Sequence, residues 1–125
     1  MSNEDSNTYG INKKNEAGPG LGPKLMGADT LIGNDVYNRA EEDLGDIKEI
    51  MLDMESGKIV YAVLSFGGVL GIGEKLFAVP WGELTLDTEN KRFILNVGKD
   101  KLENASGFDK DNWPKIANPF WVEMK

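Results

Sequence analysis

The stretch Lys58-Ile59-Val60-Tyr61-Ala62-Val63-Leu64-Ser65-Phe66 limits the fold more than any other part of this chain. It is rich in β-branched and aromatic residues, which suit a pleated surface better than a helix. In an extended chain Ile59, Tyr61 and Val63 point one way, and Val60, Ala62, Leu64 and Phe66 the other. Neither set is polar, so the segment reads as a strand covered on both faces. A second run, Leu76-Phe77-Ala78-Val79-Pro80-Trp81, follows the glycine loop Gly67 to Gly73. Pro80 has no N–H to give a ladder and should mark a strand end or bulge.

The remaining segments fit an all-β domain. Leu25-Met26 and Leu31-Ile32 flank an expected turn at Gly27-Ala28-Asp29-Thr30, and Val36-Tyr37-Asn38 comes next. Ile47-Lys48-Glu49-Ile50-Met51-Leu52 is ambiguous, because Ile47, Ile50 and Met51 would also suit a helix face; we read it as a strand. The turn Asp53–Gly57 follows, with Gly57 supplying a positive φ before Lys58. Leu84-Thr85-Leu86 and Phe93-Ile94-Leu95-Asn96-Val97 alternate as a half-covered hairpin does, around Asp87–Asn90. Lys99–Asn104 has room for one or two helical turns, and Asp109 is placed to cap a further short turn through Asn112. Three regions result: a flexible arm at 1–24, a barrel at 25–98, and a C-terminal part at 99–125 with a short helix and an apolar tail. The arm is Asn, Gly, Ser and charge, too poor in apolar residues to offset the entropy of ordering it.

Taken in order, Leu31-Ile32-Gly33 with Val36, Leu44-Gly45-Asp46-Ile47, Asp53 with Ser56-Gly57-Lys58, and Tyr61-Ala62-Val63-Leu64 form a succession of short motifs. Ser65-Phe66-Gly67-Gly68-Val69-Leu70-Gly71-Ile72-Gly73-Glu74-Lys75 and Phe77-Ala78-Val79-Pro80-Trp81 continue it. Over residues 25–98 the succession resembles the PRC-barrel family, named after the H subunit of the photosynthetic reaction centre. The resemblance implies a small, strongly bent antiparallel β-barrel serving as a protein-interaction module. It implies no catalytic residues and no cofactor.

Composition excludes several activities. The arm carries Lys13, Lys14 and Lys24 against Glu4, Asp5 and Glu16, so the net charge of −7 falls on the rest of the chain. An acidic domain repels phosphate backbones, which argues against a nucleic-acid partner. The sequence contains neither cysteine nor histidine. Thiol and Ser-His-Asp nucleophiles, thiolate metal sites and the usual neutral-pH proton shuttle are therefore unavailable to it. Met1-Ser2-Asn3-Glu4-Asp5-Ser6-Asn7 has no basic segment leading into an apolar run, so no secretory signal is read there. No apolar run approaches the roughly 20 residues of a membrane helix. The expectation is a cytoplasmic protein without membrane insertion.

Each candidate site has a plainer explanation beside it. Gly68-Val69-Leu70-Gly71-Ile72-Gly73 has the two-glycine spacing of a phosphate loop, but Glu74 stands where lysine is required and an apolar strand follows instead of a helix. The loop is better read as a turn needing positive φ. Val69, Leu70 and Ile72 then either plug the barrel mouth or form an apolar interface. Asp53-Met54-Glu55 and Asp109-Lys110-Asp111-Asn112 lack the complete calcium ligand series and are explained by turn and cap chemistry. Glu41-Glu42-Asp43 reads as a solvated loop. Trp81 belongs in the core, whereas Trp113 and Trp121 cover an edge or anchor a partner. The leading expectation is a non-enzymatic homodimer with an interface at Val69, Leu70, Ile72, Trp113, Phe120 and Trp121; the alternative is a barrel that binds a small ligand. Catalytic, cofactor-binding and metal-ligating residues are assigned to none of these positions.

Overall fold

A computed structural model describes residues 25–67 and 73–117. The arm at 1–24, the loop at 68–72 and the tail at 118–125 lie outside the described residues. The elements in order are α1 (Ala28–Leu31), β1 (Asp35–Tyr37), β2 (Asp43–Leu52), β3 (Ile59–Phe66), β4 (Lys75–Pro80), a 3-10 turn (Trp81–Glu83), β5 (Leu84–Asp87), β6 (Arg92–Leu95) and α2 (Lys99–Asn104). The strands form one six-stranded sheet, ordered β4-β3-β2-β1-β6-β5, that curls into a half-barrel. The all-β expectation holds.

The continuously apolar segment is β3, between β2 and β4, with Tyr61 through Phe66 all buried. The ambiguity of Ile47–Leu52 has a physical cause. Ile47 pairs with Leu64 and Glu49 with Val63, so Lys48 is a bulge that has no opposite residue. The inserted residue restores Ile50 to the same face as Ile47, giving a strand the spacing of a helix. Pro80 ends β4, and Gly57 takes φ +76 in the β2–β3 turn.

Two expectations are corrected. The sheet is not wholly antiparallel: β1 runs parallel to β6, Val36 beside Phe93 and Tyr37 beside Ile94. Arg92 reinforces this join. Its guanidinium lies 4.5 Å from the centre of the Tyr37 ring on β1 and is paired with Asp87 on β5 and Glu41. The Gly27–Thr30 turn is the start of a short helix, α1, which carries Leu31 into the core.

Rows of paired residues separate the faces. On the concave side Ile47, Leu64 and Phe77 form one row and Ile50, Ala62 and Val79 the next. Leu102 of α2, fully buried, and Val97 fill the hollow with them, and the edge of Trp81 packs on Phe93 at 6.0 Å. Lys75 fixes α2 by donating to the carbonyls of Leu102, Glu103 and Ala105, at 3.3, 2.6 and 3.0 Å. A cation there satisfies orphan carbonyls and offsets the negative helix end. Buried Asn38 donates to Val97 O, and its Oδ1 accepts from the amides of Ala40 and Glu42.

Candidate interaction surface

The convex face of β2, β3 and β4 carries three rows: Asp46, Ser65 and Leu76; Glu49, Val63 and Ala78; Met51, Tyr61 and Pro80. The first row is polar towards β1, because Asp35 pairs with Asp46. Around it Ser65 Oγ donates to Glu74 Oε1, and Lys48 Nζ donates to Glu74 Oε2 at 2.7 Å. The Lys48 and Ser65 hydrogen bonds hold the Glu74 carboxyl below its ordinary range. Asp46 is shifted the other way: partial burial, then the negative charges of Asp35, Glu74 and Asp43, raise its pKa. This group lies at the mouth of the glycine loop. Gly67 and Gly73, the loop's described ends, are exposed and take φ +72 and +83, as a loop demanding glycine should.

Over β3 and β4 this face is mostly apolar, and the chain covers that part with its own residues. Tyr61, Val63, Leu76 and Ala78 are buried beneath Phe108, Trp113 and Ala117. Phe108 N donates to Leu76 O at 2.7 Å, forming a single antiparallel bridge with β4. The edge of Trp113 meets the Phe108 ring at 5.4 Å, and its Nε1 donates to Lys110 O. Tyr61 Oη donates to Pro114 O at 2.6 Å. Of the six residues expected at an interface, Trp113 is described, half-buried against its own sheet. Val69, Leu70, Ile72, Phe120 and Trp121 lie outside the described residues.

The acidic turns are built as turns. Asp53 Oδ1 accepts from Glu55 N, and Asp109 Oδ1 accepts from Asp111 N, each at 2.9 Å. The Glu55 amide bond lowers the Asp53 pKa. Among the described residues, no three acidic side chains are grouped to hold a metal ion. None of the described helices is long and apolar enough to cross a membrane.

Sequence reasoning missed Phe108 and Gly107, which carry the covering segment. A Cβ on Gly107 would lie 2.6 Å from Leu76 O and 2.7 Å from Leu76 N. Only glycine allows that approach, but nothing near it in the sequence signals which strand it meets. Lys75, just after the glycine loop, caps α2.

A curled six-stranded sheet closed by a short helix defines a small barrel domain, and comparison with known families places it. Residues 23–102 match the PRC-barrel domain, and the chain belongs to that family. No curated protein matches it. Solved structures similar to it include a 16S ribosomal RNA processing protein, RimM, from Pseudomonas aeruginosa. That match has 18% identity and a TM-score of 0.41, and covers 62% of this chain and 48% of the other. The chain thus spans about half the length of that relative, and the likeness is one of fold.

Proposed function

We propose that this chain is a non-catalytic PRC-barrel module that works through protein–protein contact, with a second copy of itself as the partner. The observation that carries the reading is the glycine loop. It leaves the sheet at exposed Gly67, returns at exposed Gly73, and sets Val69, Leu70 and Ile72 within a few residues of one another. Apolar side chains gathered on a glycine-rich loop favour association. Phe120 and Trp121 would add aromatic area to the same contact. The concave side is occupied by Leu64, Phe77, Leu95 and Leu102, none more than 2% exposed, which favours the outside of the barrel over a small-ligand cavity.

The experiment is Leu70→Asp, followed by light scattering on the eluting protein. The expected result is a dimer that becomes a monomer with an unchanged melting temperature. A monomeric parent, or a variant of undiminished mass, overturns the reading.

A further inference from the structure

The segment 105–117 begins beyond the family match, which ends at Leu102. It forms no helix or strand of its own, yet it covers a buried cluster, Tyr61, Val63, Leu76 and Ala78, on the outside of the sheet. Among the described residues its contacts with the sheet include the Phe108 bridge to Leu76, the packing of Phe108, Trp113 and Ala117 on Tyr61, Val63, Leu76 and Ala78, and the Tyr61 hydroxyl on Pro114 O. One backbone bridge to the edge strand β4 gives pairing and the apolar cluster gives side-chain seats, as in peptide docking on a sheet, with a turn at Asp109–Asn112 between the two aromatic residues. The segment is fastened at its start, where Lys75 takes Ala105 O, so lifting the rest leaves α2 and the concave core in place.

We propose that the convex face of β3 and β4 is a docking surface for a segment that bridges β4 once, turns, and sets down two aromatic side chains at the Phe108–Trp113 spacing with a following proline. Residues 105–117 are its intramolecular occupant, and a partner segment of that chemistry binds by displacing them. Charge is consistent with this occupant: the seats themselves are apolar, and Lys110 and Lys115 offset Asp109 and Asp111 within the segment. The proposal is independent of self-association through the glycine loop.

The test uses a fluorescent peptide of residues 104–117, the full chain, and the full-length Gly107→Val variant. A side chain at 107 collides with the Leu76 backbone and should lift the covering segment while leaving every sheet residue unsubstituted. The expected result is at least tenfold tighter peptide binding by Gly107→Val than by the parent chain. A peptide carrying Val in place of Gly107 should bind the variant at least tenfold more weakly. Equal affinity for parent and variant overturns the proposal, as does no saturable binding by a variant with the parent's circular dichroism. If Gly107→Val does not fold, amide exchange in the parent decides. The Phe108 amide, bonded to Leu76 O, should exchange at least a hundredfold faster than the slowest β3 amides. Exchange at the same rate means the segment opens only when the whole domain unfolds, and overturns the proposal. Light scattering in the same buffer reports separately on self-association.

Discussion

Replacing Gly45 by alanine should be among the most damaging single-methyl changes in this domain. Gly45 sits in β2 at φ +122, a conformation that side chains rarely adopt. A Cβ built there would lie 1.9 Å from Ser65 O and 3.0 Å from Ser65 C, both backbone atoms of β3. Neither can swing aside, so β2 and β3 must part locally where Asp46 pairs with Ser65 and Ile47 with Leu64. Losing about two ladder hydrogen bonds costs about 2 kcal/mol. Holding a non-glycine residue in such a backbone state adds about 2 kcal/mol. The total of about 4 kcal/mol is a large share of the roughly 5–15 kcal/mol that stabilises a typical domain. In a domain of this size it lowers the melting temperature by about 15–30 °C. Urea unfolding of Gly45→Ala beside Gly33→Ala isolates the cause. Gly33 also has positive φ, +95, but open space where its Cβ would go. That control should cost only about 1–2 kcal/mol. If both variants unfold at the same urea concentration, the argument from the Ser65 carbonyl is wrong.

Two other changes test the polar framework. Lys75→Met removes the donor shared by three carbonyls at the end of α2 and should cost about 1–2 kcal/mol, read as a lower urea midpoint with faster amide exchange through Lys99–Asn104. An unchanged midpoint would mean water replaces the ammonium without loss. Asp46→Asn should raise the urea midpoint near neutral pH, because burial and the charges of Asp35, Glu74 and Asp43 penalise the native carboxylate. Since the folded pKa is raised, the parent regains stability as pH falls through it, so the advantage of Asn should fade on acidification. An advantage that persists at acid pH would rule out ionisation as its cause.

What could be read from the sequence was whatever local pattern decides. Tyr61 through Phe66 announce a strand covered on both sides because every residue in the run but Ser65 carries a mainly apolar side chain. Leu84, Leu86, Phe93 and Leu95 alternate, and β5 and β6 follow with Asp87 opposite Arg92. Pairing between distant segments left no such trace. Three-residue β1 is too short to display a period, and nothing in Val36 or Tyr37 reveals that Phe93 and Ile94 lie alongside in parallel. The Lys48 bulge disguised a strand as a helix face, since one inserted residue turns a period of two into a spacing of three. The run Leu76–Trp81 shows its strand, but the cover of Leu76 and Ala78 comes from Phe108 and Trp113, whose spacing fits no regular element. Of the expected interface, Trp113 could be placed, and it lies on its own sheet.

The parallel join of β1 and β6 also orders events during synthesis. Strands β2, β3 and β4 are consecutive, and each pairs with the next, so residues 43–80 can zip together as they emerge. Strand β1, made earlier, holds one edge of that meander, but its other side waits for residues 92–95. Until then Val36 and the concave side of the meander lack the lid that Phe93, Leu95 and Leu102 will form. A nascent chain arrested before Leu102 is therefore a half-built shell with its greasy lining turned outward, and completion comes in one late step.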